Sequence, residues 1–240
     1  MGCGSTSGVI ALEDEEEYIH KIIKEKKEKK EILFLTYETK SDDEDILLIG
    51  NDKDMDDRYN LPFFDGVQIK FDLYDNNIKI TGPQHTFAKK GIHTIQMIIK
   101  EQIYNFSFMF YNCVKLKRIK GYINTSKAKD FSWMFSNCTS LEDISALKNI
   151  DVSDGEKFQY MFNECTSLKD ISSIKDWNVN KGKDFSGMFK NCKSLKNIDL
   201  KSWNIQKNGV EVDGMFEGCE SNIFNDNANI FGINPNENNN

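Results

Sequence analysis

The sequence predicts an α/β fold: a solenoid with a parallel sheet on one face and short helices on the other, closed by a β-rich cap at its N-terminal end. Three observations predict it. A Met-Phe pair followed three residues later by cysteine occurs five times, at Met109-Phe110/Cys113, Met134-Phe135/Cys138, Met161-Phe162/Cys165, Met188-Phe189/Cys192 and Met215-Phe216/Cys219, with spacings of 25, 27, 27 and 27 residues. A fixed period of that size marks units that bury their apolar faces only against one another. Within each unit the apolar spacing is first helical and then shortens towards two. Before the repeats, Val67, Ile69, Phe71 and Leu73 alternate strictly with polar residues, the pattern of a half-buried strand.

Composition sets outer bounds. A chain of 240 residues with 39% hydrophobic residues can bury a core. A formal charge of −7 and a pI near 5.1 argue against nucleic acid, which is held by a concentrated basic face. No apolar run reaches the ~18 residues that span a bilayer, and no apolar stretch follows Met1, so the expected location is cytosolic. Five of the six cysteines share one phase of the repeat and form no closely spaced pair. They fit reduced core thiols better than metal ligands or disulfides, and no cofactor is expected.

Residues 1–12 are expected to be an acylated tail. Met1-Gly2-Cys3-Gly4-Ser5-Thr6 fits myristoylation of Gly2 with a palmitoylatable Cys3 beside it, a reading that requires a eukaryotic source. Two chains are needed, because one myristoyl group binds a membrane only marginally. Residues 13–31 follow as a charged helix. The acids Glu13 to Glu17 precede Lys21, Lys24, Lys26, Lys27, Lys29 and Lys30, which complements the helix dipole, and Tyr18, Ile19, Ile22 and Ile23 form a short apolar stripe. Its lysines suit either anionic lipid or plain solvent.

Residues 32–63 are expected to be an acidic linker holding short strands at Ile32–Leu35 and Ile46–Ile49, whose pairing the sequence leaves open. Asp52, Asp54 and Asp56 imitate the start of a calcium loop, but Asp57 stands where glycine is needed and Phe63 where the bidentate glutamate belongs, which favours an exposed acidic loop. Residues 64–104 are expected to form a hairpin cap turning at Asp75-Asn76-Asn77.

In the repeats, residues 105–219, the stripe Phe158, Met161, Phe162 and Cys165 has the i, i+3, i+4, i+7 spacing of a helix face. Leu116 and Ile119, Leu141 and Ile144, Leu168 and Ile171, and Leu195 and Ile198 then mark one strand per repeat, which would stack in parallel. Asn and Asp after an apolar residue (Asn124, Asp151, Asn178, Asn204) are expected to satisfy loop backbone. Residues 220–240, with eight asparagines from Asn225 onward, are expected to be a disordered tail.

The segments Phe158–Leu168 and Asp184–Leu195, with Trp177-Asn178 between them, resemble the BspA-type leucine-rich repeats of bacterial, mycoplasmal and protist surface proteins. The resemblance implies a leucine-rich-repeat solenoid used for adhesion or protein binding, without enzymatic activity. Catalysis has little to draw on: His20, His85 and His93 lie outside the repeats without a recognised partner spacing, and there is no glycine-rich phosphate loop. Binding has more. Residues alternating with the buried positions fall into columns: Arg118, Asp143, Asp170 and Asn197; Lys120, Ser145, Ser172 and Asp199; Tyr122, Leu147, Ile174 and Lys201. In the third column Leu147 and Ile174 are either an apolar anchor for a partner or tucked beneath the next connection. The expected function is a non-catalytic adaptor at the cytoplasmic face of a membrane that binds a protein ligand through these columns; a surface adhesion protein is the alternative.

Overall fold

Ile32–Thr39 (β1) is buried along nearly its whole length and is an inner strand with a neighbour on either side. In the computed structural model, which describes residues 31–50, 71–196, 198–203, 205 and 209–220, it pairs antiparallel with Gly91–Ile99 (β6) and with Leu116–Tyr122 (β7). Phe71–Asp75 (β3) and Ile78–Ile80 (β4) extend the sheet to the order β4-β3-β6-β1-β7. Glu44–Leu47 (β2) and Gln84–Phe87 (β5) form a separate antiparallel pair. The expected hairpin forms at Phe71–Ile80 and turns through Asn76 and Asn77, both at positive φ, as a two-residue turn matching strand twist requires. Its upstream residues Val67 and Ile69 lie outside the described segments, as do the acylated tail, nearly all of the charged helix, the Asp52–Asp57 loop, Asn197 and Asn204, and the tail after Glu220. β1, drawn from the segment expected to be a linker, joins the cap hairpin to the first repeat. Gly121 of β7 passes so close to β1 that a Cβ there would collide with the Ile32 carbonyl.

The expectation of an α/β leucine-rich-repeat solenoid with a parallel sheet and short helices is overturned. Both sheets are antiparallel, and among the described residues the only helical elements are two 3-10 turns, Ser145–Asn149 and Ser172–Ile174. Parallel contacts between repeats are single-residue bridges such as Asp130 with Lys157 and Lys157 with Asp184.

Backbone conformation explains the missing helices. In the first repeat the N–H groups of Phe106, Phe108, Phe110 and Asn112 donate to the carbonyls of Asp130, Ser132, Met134 and Ser136 in the next repeat. Those of Met109, Tyr111 and Cys113 instead close tight turns onto Phe106, Phe108 and Phe110. An α-helix would send every N–H to the carbonyl four residues back. Here each repeat places two residues in the left-handed region, at φ between 55° and 75°: Phe108 and Asn112, Trp133 and Asn137, Tyr160 and Glu164, Gly187 and Asn191, Gly214 and Gly218. Left-handed backbone costs a non-glycine residue about 1–2 kcal/mol, and the bonds between repeats offset it.

Side chains lock this ladder of turns. Phe106, Phe131, Phe158 and Phe185 stack with centroids 5.6, 5.5 and 5.1 Å apart, and Phe110, Phe135, Phe162, Phe189 and Phe216 stack at 5.3 to 5.6 Å. A third column runs from buried Phe108 through half-buried Trp133 and Tyr160 and ends on Gly187, where a Cβ would strike the Tyr160 ring. The thiols of Cys138, Cys165, Cys192 and Cys219 donate to the carbonyls of Phe110, Phe135, Phe162 and Phe189 at 3.0–3.2 Å. These cysteines and Cys113 are unbridged, and burial pushes all five thiols up, Cys219 to about 11. Trp177 and Trp203 donate their indole N–H groups to Leu147 and Ile174 carbonyls, each at 3.0 Å.

Candidate functional site

β7 carries the first repeat's surface residues, and its register with β1 decides where they lie. Tyr122 stands opposite Ile32, Lys120 opposite Phe34 and Arg118 opposite Thr36. On the other side of β1 the same three residues face Ile98, Gln96 and Thr94 of β6, and Asp72 and Tyr74 of β3 stand beyond Ile98 and Gln96. Directly opposed residues share a face, so these side chains form the outer face of the sheet, turned away from the core of Leu33, Leu35 and Tyr37. The mixture is cationic and apolar. Tyr122 is 42% exposed, whereas Ile32 and Phe34 are buried and make an apolar cluster separate from the main core. At the β3 edge Asp72 accepts ion pairs from Lys79 at 2.7 Å and Lys100 at 2.9 Å.

The predicted columns are only partly assembled. Arg118 bridges to Asp143, so the first column does step from repeat one to repeat two. Asp143, Asp170 and Asp199, however, each accept the backbone N–H two residues ahead, from Ser145 and Ser172 at 2.8 Å and from Lys201 at 3.2 Å. These bonds start turns and bend the chain out of the expected strand. The turns rotate Leu147 and Ile174 inward, where both are buried in the core. They are not an exposed anchor. Tyr122 and Lys201 of that column remain at the surface, as do Ser145, Ser172, Asp170 and Asp199.

Two further clusters went unread in the sequence. Glu156 receives Lys183 and Lys129 from the repeats on either side, and these two hydrogen-bonded cations hold its carboxyl down at about 2. Asp154 pairs with Lys181 at 2.6 Å and Asp130 with Lys157 at 3.3 Å in the same manner. The 27-residue offset between partners such as Glu156 and Lys183 is the signal that could have found them. The second cluster lies where β5 passes the β3–β4 hairpin. There a shallow groove of about 400 Å³ is lined by Asp45, Asp75, Lys79, Gln84, His85 and Thr86. His85 Nε2 lies 3.2 Å from Asp75, and His93 stacks on Phe87 with its Nε2 2.9 Å from the Thr39 hydroxyl. Partial burial lowers the His93 pKa. Among the described residues no three His, Cys, Asp or Glu side chains are placed to hold a metal ion, and no helix is long and apolar enough to cross a membrane.

Repeat-to-repeat ladders joined to a β sheet with a mixed outer face define a repeat protein whose distinctive chemistry is on its surface. The chain belongs to the DUF285 family, described as Mycoplasma protein of unknown function, whose model matches residues 104–231. No curated protein and no solved structure matches the chain.

Proposed function

We propose that the protein is a non-catalytic adaptor, held at the cytoplasmic face of a membrane by acyl groups on Gly2 and Cys3, that binds a protein ligand through the outer face of its sheet. The observation that carries this reading is the presentation of Arg118, Lys120 and exposed Tyr122 on one strand fixed by antiparallel pairing. Arginine and tyrosine on a rigid support are the residue types that concentrate binding energy at protein interfaces. Tethering then raises the effective concentration of contacts that are individually weak. The test is incorporation of a myristate analogue, followed by fractionation with and without hydroxylamine. The wild-type chain should carry the label and pellet with membranes, and Gly2→Ala should lose both properties. Gly2→Ala protein that still pellets would refute acyl anchoring.

Membership of a Mycoplasma family, together with the likeness of the repeat to BspA-type surface repeats, supports a second reading, a surface protein acting in adhesion. Labelling of intact cells with an impermeant amine reagent separates the two: the adaptor is protected and the adhesin is modified.

A further inference from the structure

The five-stranded sheet ends at β4, which pairs with β3 alone, and the separate ribbon of β2 and β5 meets that hairpin where His85 lies 3.2 Å from Asp75. The ribbon leaves part of the hairpin uncovered. Ile78 is 73% exposed, more than any other large apolar side chain among the described residues, and beside it the groove of about 400 Å³ opens between β4 and β5. That is the size of a small ligand pocket. Ile78 stands opposite Asp75, and Ile80 opposite the core residue Leu73, so both isoleucines lie on the groove side of the sheet. The backbone of β4 is open along the same edge. The two-residue turn at Asn76-Asn77 makes Asp75 and Ile78 a hydrogen-bonded pair, so in the next pair, Tyr74 and Lys79, the N–H and C=O groups turn away from each other. Those of Lys79 point off the sheet, and among the described residues nothing bonds to them.

We propose that the β4 edge and its groove take up an extended segment of a partner protein that carries basic side chains. The segment adds as a strand to the open Lys79 backbone, covers Ile78 with one side chain and sets a lysine or arginine into the groove beside Asp45 and Asp75. Main-chain bonds at an unpaired edge supply the attachment, and alternate side chains supply the specificity. Charge selects the partner. Asp45 and Asp75 are the carboxylates of the groove, and the one lysine among its lining residues, Lys79, is held on the opposite face of the sheet by Asp72 at 2.7 Å. Lysine at a sheet edge commonly blocks pairing; turned away and neutralised, this one leaves the edge and the exposed isoleucine accessible. A second copy of the chain does not match, because two-fold pairing of β4 with itself would bring Asp45 and Asp75 of both copies to one contact. In the strand order β4-β3-β6-β1-β7 this edge lies at the far end from β7, so the site is separate from the Arg118–Lys120–Tyr122 surface and does not rest on the function proposed for it.

The test is a nuclear magnetic resonance titration of the full chain, isotope-labelled at backbone amides and isoleucine methyls, with two capped nonapeptides, one alternating valine with lysine and one alternating valine with glutamate. The lysine peptide should shift the Ile78 methyl and the Gln84, His85 and Thr86 amides saturably, and the glutamate peptide should bind about tenfold more weakly or not at all. Lys79→Pro deletes the outward N–H without removing a bond to β3, and should weaken the lysine peptide by about tenfold, whereas Lys79→Ala should bind it as wild type does. An unshifted methyl of the core residue Ile95 in both variants shows that the sheet is intact. Asp45→Asn, which leaves the strand edge alone, should weaken the lysine peptide severalfold and does not depend on the proline variant folding. Absence of groove shifts with the lysine peptide, equal affinity for the two peptides, or undiminished binding by folded Lys79→Pro would overturn the proposal. Concentration-dependent shifts at Ile78 without peptide would also overturn it, by giving the edge to a second copy. The readout lies at β4 and not on β7 or the N-terminus, so its failure is distinguishable from failure of the membrane-adaptor reading.

Discussion

The ring ladder makes a quantitative prediction at Phe162. This side chain is fully buried and stacks on Phe135 at 5.4 Å and on Phe189 at 5.6 Å, with interplanar angles of 9° and 3°. Phe162→Ala removes a buried ring and leaves a cavity that the hydrogen-bonded turns on either side cannot close, a loss of about 3–5 kcal/mol. Against a total domain stability of about 5–15 kcal/mol that is a large fraction. Phe162→Leu is the sharper probe, since it keeps most of the apolar volume and removes only the ring geometry. Two stacked contacts at about 0.5–1.5 kcal/mol each give an expected loss of about 1–3 kcal/mol. Phe110 stacks on Phe135 alone among the described residues, so Phe110→Leu should lose about half as much. Urea denaturation followed by circular dichroism reads the difference, as a fall in midpoint at constant slope. Equal losses for Phe162→Leu and Phe110→Leu would refute the claim that ring-on-ring contact between repeats carries this energy.

Gly187 sits at φ +60°, and the Tyr160 ring occupies the space of its missing side chain; Gly187→Ala should lower the melting temperature, with a cost of about 1–3 kcal/mol, and Tyr160→Ala should relieve part of it in the double variant. Lys183 and Lys129 depress the Glu156 carboxyl to about 2, so its stabilising contribution is complete above the ordinary glutamate pKa of about 4.3 and is lost as pH falls from there through about 2. The stability gap between wild type and Glu156→Gln should therefore close across that window, and also in high salt at neutral pH, when both are followed by thermal melts. Burial holds the repeat thiols protonated, and Cys219 is the least buried of the five; in a Cys3→Ser background an aromatic disulfide reagent at pH 8 should modify Cys219 first and the other four only at the rate of unfolding.

What the sequence disclosed about the repeats was which side chains point inward, and what it concealed was the backbone that points them. Phe106, Met109, Phe110 and Cys113 are all fully buried, as the i, i+3, i+4, i+7 stripe requires, yet they are delivered by two tight turns instead of a helix. Both geometries return to the same side after three to four residues, so hydrophobic spacing alone does not separate them. The distinguishing marks were Asn112, Asn137, Asn191, Gly187, Gly214 and Gly218, the residue types that tolerate left-handed backbone. They were masked by Phe108, Trp133, Tyr160 and Glu164 at equivalent positions, where propensity is overridden by stacking and by bonds to the next repeat. The expected second, third and fourth strands fail for a local reason. The carboxylates of Asp143, Asp170 and Asp199 capture the N–H two residues on, so each chain segment turns where Leu116–Tyr122 runs straight.

The first repeat keeps its strand because it has a partner the others lack. β1 offers a full row of donors and acceptors to β7, while the later repeats meet only neighbouring repeats. Pairing between β1 and β7 joins residues about 80 to 90 apart in sequence, and no local pattern in either strand encodes that distance. The same pairing creates the candidate site. Arg118, Lys120 and Tyr122 look like three more positions of a repeat column until β1 sets Thr36, Phe34 and Ile32 beside them. The three side chains are then backed by a buried apolar pair, Ile32 and Phe34. The chemistry of the face thus comes from the junction between the antiparallel sheet and the ladder of turns, and a repeat excised without residues 31–99 would present the three side chains without the apolar floor that makes them a site.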